Sequence, residues 1–190
     1  MRSLQKILVP TDLSEFSKAG VRYALNLAKA TGAEVTVCHV LDSEEPVELR
    51  ENHAGKESIA RVILKKLEAT LDRYVETRAI GLCPSFPATD PPLDKYRTAL
   101  RQFLSDNFSD LIPTVNIQER VERGTPGETI VEIAKKQEVD LIVMSTHGRS
   151  AVAHILMGSV TEKVIRNAPC PVLTVSRESL EKRDERRAAA

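Results

Sequence analysis

The stretch DLIVMSTHGRSAVAHILMGSVTEKVIRN, residues 140–167, decides how this chain is to be read. Leu141–Met144 is an unbroken apolar run, the pattern of a strand covered on both faces. Ser159–Asn167 reads as a helix, with Gly158 and Ser159 at its mouth. Between strand and helix lies a segment carrying Gly148, and nine residues separate it from Gly158. A buried strand followed by a glycine-marked connection and a helix is a unit of α/β architecture.

Working outward, the same alternation recurs. Lys6–Pro10 (KILVP) is another short apolar run. It is followed by TDLSEFSKAGVRYALNLAKATG, in which Phe16, Gly20, Tyr23, Ala24, Leu27 and Ala28 fall at helical spacing and Gly32 stops the pattern. Glu34–Val40 is rich in β-branched residues and reads as a second strand. Val115–Val121 alternates and reads as a third, less buried one. Pro126 opens a further helix, with Ile130, Ile133 and Ala134 on one face. Leu141–Met144 is then the fourth strand and Pro171–Val175 the fifth. The expected fold is α/β, a parallel sheet with helices on both faces. Pattern alone does not give the order of the strands.

Residues 43–112 interrupt this rhythm. Ile59, Val62, Ile63, Leu67, Leu71 and Tyr74 mark one amphipathic helix; Leu93, Tyr96, Leu100, Phe103, Leu104, Phe108 and Leu111 mark another. Between them GLCPSFPATDPP carries four prolines, which forbid regular structure. A crossover needs one helix, so residues 43–92 are expected to be an insertion within a single domain spanning 1–176. Residues 177–190 form a charged tail, read as a solvated helix end or a disordered extension.

Composition narrows the function classes. With 190 residues, 42% apolar and 28% charged, the chain is that of an ordinary soluble globular protein. Lys+Arg and Asp+Glu are 27 each, so no broad field draws it to nucleic acid or an anionic membrane. Cys38, Cys83 and Cys170 form no CxxC pair and no zinc spacing, which suits a reducing compartment. The apolar run in the opening MRSLQKILVPTD is too short for a signal peptide or a membrane span. A cytoplasmic location is expected.

In open α/β sheets ligands lie beyond the carboxyl ends of the strands. Three such ends carry suggestive residues: Pro10–Asp12, Val40–Asp42 and the run from Met144 to Ser159. At Gly158-Ser159 a helix start offers N–H groups and a partial positive charge to a phosphate. The same SVTE run, Ser159 to Glu162, also fits a capping box that satisfies the helix by itself. Gly148 suits either a turn or a close backbone approach to a ligand, and Arg149 either a phosphate or solvent. Asp12 suits either a ribose hydroxyl or capping of a helix from about Ser14. His147 and His154 lack a third metal ligand at suitable spacing. His39 is expected to be packed and Cys170 to be a small buried residue. No P-loop, no GxGxxG after a strand and no GxSxG elbow occur.

Taken together, KILVPTDLSEFSKAGVRYALNLAKATGAEVTVCHV, VERGTPGETIVEIAKKQEVDLIVMSTHGRS and MGSVTEKVIRNAPCPVLTV resemble the universal stress protein family, in family order. The resemblance implies a Rossmann-like, adenine nucleotide alpha hydrolase-like domain, a five-stranded sheet of order 3-2-1-4-5, and a homodimer. ATP-binding members carry G-x2-G-x9-G-[ST] after the fourth strand. Here that motif reads Ser145-x2-Gly148-x9-Gly158-Ser159, with serine in place of the first glycine.

By the same resemblance Asp12 would contact the ribose, and Pro10, Thr11 and the backbone of Val40 would surround the adenine. Met144, Ser145, Gly148, Gly158, Ser159 and Val160 would line the ribose and phosphates, with Arg149 close by. The implied ligand is ATP, with Mg2+ as its companion, in a stress-response switch or interaction module. No residue is assigned as general base or nucleophile, so any hydrolysis would be slow. A second reading is a ligand-free dimeric scaffold that recruits a protein partner through the inserted helix.

Overall fold

The central strands of the sheet are covered on both faces. In β1 (Lys6–Pro10) Ile7 and Val9 point into one hydrophobic layer and Leu8 into the other. The computed structural model describes residues 3–42, 93–146 and 157–176. The chain divides into two compact units, Glu45–Pro92 and the remainder, and every described residue belongs to the remainder. The insertion expected over 43–92, including the helix marked by Ile59 to Tyr74, lies outside the described residues, as do Gly148, Arg149 and the charged tail.

After β1 come α1 (Lys18–Thr31), β2 (Glu34–Asp42), α2 (Leu93–Phe108) and a 3-10 turn at Ile112–Thr114. β3 (Ile117–Gly124), α3 (Pro126–Gln137), β4 (Leu141–Ser145), α4 (Ser159–Asn167) and β5 (Val172–Val175) follow. The five strands form one parallel sheet of order 3-2-1-4-5, as the family resemblance implies. Lys6–Pro10 pairs with Glu34–Cys38 on one side, and Ile7 and Leu8 pair with Leu141 and Ile142 on the other.

Helices cover both faces. α1 and α2 bring Val21, Leu25, Leu100 and Phe108 onto Ile7, Val9, Val35 and Val37. α3 and α4 bring Ile130, Ile133 and Val164 onto Leu8, Ile142 and Met144. Leu8, Leu25, Leu100 and Ile142 are fully covered, and each such side chain contributes about 1.5–3 kcal/mol by leaving water. α1 ends at Gly32, whose φ of 75° lets its N–H reach the Ala28 carbonyl at 2.8 Å.

β3 starts and ends later than the alternation in Val115–Val121 suggests. Val115 closes the 3-10 turn through its N–H to the Ile112 carbonyl, so pairing starts only beyond it. The strand then runs on to Gly124 through a largely polar stretch, because β3 lies at the edge of the sheet. There Glu119 takes an ion pair from Arg101 of α2 at 3.0 Å, which lays charge along the edge. Among the described residues no helix is long and apolar enough to cross a membrane.

Candidate functional site

β1 sits between β2 and β4, so the chain turns one way after β1 towards β2 and the other way towards β4. Connections on the two sides diverge at the carboxyl ends of β1 and β4, the place where open α/β sheets form a crevice. Of the residues singled out from the sequence, Pro10 ends β1, Thr11 and Asp12 follow it, and Met144 and Ser145 end β4. Val40 lies near the end of β2, and Gly158, Ser159 and Val160 open α4. All are ends of elements at one edge of one sheet.

The β1 end is held by side chains. Thr11 is buried; its N–H donates to the Cys38 carbonyl at 2.8 Å, and its hydroxyl bonds that of Ser17 at the same distance. The Thr11 carbonyl accepts from Nδ1 of the buried His39 at 2.8 Å, so His39 is packed and tied as expected. Leu13 takes φ of 62°, a left-handed conformation that costs a branched residue about 1 kcal/mol. Its N–H is received by the Thr11 hydroxyl at 3.0 Å. Asp12 accepts the Ser14 N–H at 3.1 Å and the Ser14 hydroxyl at 2.6 Å through one carboxylate oxygen. That is a turn ahead of α1, which starts only at Lys18, so Asp12 closes the turn and does not cap the helix.

The β4 end carries a contact the sequence did not reveal. The Ser145 hydroxyl is turned towards α1 and accepts the Gly20 N–H at 3.1 Å. As an acceptor it is therefore engaged by the protein, and its O–H stays available as a donor. A side chain on Gly20 would have no room, because its Cβ would lie 2.9 Å from the Ser145 nitrogen and 3.2 Å from the Met144 carbonyl carbon. Helix and strand approach this closely because residue 20 is glycine. The Ser145 carbonyl accepts the buried Thr161 hydroxyl of α4 at 3.1 Å. Thr146 follows, with its N–H on the Val175 carbonyl and its own carbonyl receiving the Gly158 N–H at 2.9 Å.

α4 begins differently from the capping-box expectation. Its N-cap is Gly158, not Ser159, and no side chain among the described residues caps it. Ser159 is the exposed first helical residue, and Glu162 reaches forward to Arg166 at 2.8 Å instead of back to the helix start. The i,i+4 ion pair satisfies the carboxylate on the helix surface, so the reciprocal bond of a capping box does not form. Gly158 has φ of −70° and ψ of 150°, which any residue adopts. A Cβ there would lie 3.5 Å from the Thr146 carbonyl oxygen, an ordinary contact.

Neither described cysteine, Cys38 or Cys170, is activated as a nucleophile. Burial pushes the Cys38 thiol up to about 12, with Arg120 opposing only in part. Cys170 is half-buried, not fully buried as expected, and partial burial raises it as well. Both hold their protons at neutral pH. His147 and His154 lie outside the described residues.

The model of the universal stress protein family matches residues 3–176. A universal stress protein of Methanocaldococcus jannaschii is 31% identical over 177 residues, 93% of this chain and 85% of the relative. Among solved structures, a universal stress protein in complex with cAMP superposes with a TM-score of 0.55 at 21% identity, covering 92% of this chain and 98% of the other. The universal stress protein of Archaeoglobus fulgidus in complex with dAMP gives 0.52 at 20% identity, covering 92% and 100%.

Proposed function

The chain belongs to the universal stress protein family over residues 3–176, and we propose that it binds an adenine nucleotide, ATP, at the carboxyl edge of the sheet between β1 and β4. The observation that carries this reading is Gly158, a glycine at a helix start where the neighbouring backbone has room for a side chain. Lack of a Cβ there lets an anion reach the first-turn N–H groups of α4, which have no partner within the helix. Relatives of the same fold in complex with cAMP and dAMP support adenine nucleotides as the ligand class.

In this reading the phosphates rest on Gly158, Ser159 and Val160, and Gly148 and Arg149 add donors from the preceding segment. Asp12 takes the ribose through its carboxylate, while Pro10, Thr11 and Val40 border the adenine. Met144 and Ser145 supply the wall at the end of β4. Mg2+ accompanies the triphosphate, since its coordination needs oxygen ligands that the nucleotide itself supplies. The chain then works as a nucleotide-dependent switch or interaction module in the stress response, as a cytoplasmic homodimer.

The test is direct. Protein purified without added nucleotide is denatured, the released small molecules are identified by mass spectrometry, and ATP is titrated into the native protein by calorimetry. An adenine nucleotide in the supernatant, or saturable heat, is the expected result. Neither one, up to millimolar ATP, would overturn the reading and favour the ligand-free scaffold.

A further inference from the structure

Ser145 is joined by its two oxygen atoms to the first turns of two different helices. Its hydroxyl accepts the Gly20 N–H of α1, and its carbonyl accepts the Thr161 hydroxyl of α4. Gly20 and Thr161 each occupy the third helical position, and all three residues are buried. Gly20 belongs to the helix that follows the Thr11–Ser17 turn on which Asp12 sits. Thr161 belongs to the helix that begins at Gly158. One residue thus ties the turn assigned to the ribose and the helix start assigned to the phosphates.

We infer that Ser145 and Thr161 are positioning residues that set the nucleoside end and the phosphate end of the site independently, through separate bonds to Ser145. The inference rests on the reading of the site as an adenine-nucleotide site. It also gives the serine that replaces the family's glycine a role, since its hydroxyl supplies an acceptor that glycine lacks. The carbonyl bond, in contrast, holds α4 against β4 and so governs where the Ser159 and Val160 N–H groups point.

The two bonds can be cut separately. Thr161→Val removes the hydroxyl from the α4 side and keeps the side-chain shape. ATP affinity is expected to fall about tenfold, one buried hydrogen bond's worth, while adenosine affinity stays within about twofold. Thr161→Ser restores the ATP affinity, because it restores the donor. Ser145→Ala leaves the carbonyl in place and removes only the acceptor at Gly20, so ATP and adenosine affinities are expected to fall by the same factor.

Calorimetry of ATP and adenosine on the wild type and these three variants reads all of it. Equal losses of both ligands in Thr161→Val, or no rescue by Thr161→Ser, would overturn the inference while the nucleotide site stands. If Thr161→Val does not fold, Ser145→Ala decides: a loss confined to ATP, or no loss, overturns it. Wild-type protein that binds neither ligand overturns the reading of the site, and the inference with it.

Discussion

Two helices start at the same carboxyl edge of the sheet, one on each face, and they start in different ways. The first turn of α1 is closed by the protein: the Ser145 hydroxyl takes the Gly20 N–H, and the Thr11–Ser17 hydroxyl pair fixes the turn before it. The first turn of α4 opens on a glycine with no side-chain cap among the described residues, followed by an exposed serine. Both helices face the same need to satisfy N–H groups at their ends. Where the fold supplies the acceptor, the end is structural; where no described side chain supplies one, the proposed function gives the end to a ligand. Glycine serves the two ends for different reasons, close packing at Gly20 and open approach at Gly158.

The contrast makes its largest prediction at Gly20. Gly20→Val forces a side chain into the Ser145 and Met144 backbone, and stability should drop by about 3 kcal/mol. The urea midpoint measures this, and an unchanged midpoint would mean that α1 and β4 do not meet as described. Gly158→Val should do the reverse. ATP affinity is expected to fall about 100-fold, about 2.7 kcal/mol, with the urea midpoint nearly unchanged; a large loss of stability there would make the α4 start structural after all. The smallest effect is expected at Ser17→Ala, which unties the hydroxyl pair beneath the Asp12 turn and should cost about 1 kcal/mol. A drop in ATP affinity larger than the drop in adenosine affinity in that variant would blur the division between the two ends.

Much of the sheet could be read from the chain because its strands are buried on both faces. KILVP and LIVM announce themselves by short apolar runs and EVTVCHV by its β-branched residues, and the structure places β1, β4 and β2 on them. β3 was shifted because an edge strand has one polar side and a weaker pattern, and its first valine belongs to a turn. Strand order came from the family resemblance, since periodicity carries no information about neighbours. The singled-out residue types that the structure describes fall together at the carboxyl edge of the sheet, but their partners were not legible. Gly20 and Ser145 lie 125 positions apart, and nothing local marks either as half of a contact. The SVTE run misled in a physical way: Glu162 had a choice between the helix start and Arg166, and the chain one turn later decided it.

The bond from the Gly158 N–H to the Thr146 carbonyl has a consequence for engineering. It joins the residue after β4 directly to the N-cap of α4, so the helix start is held by the sheet as well as by the chain. Any replacement of the chain between Thr146 and Gly158 should therefore keep these two residues, because the backbone bond between them ties α4 to β4.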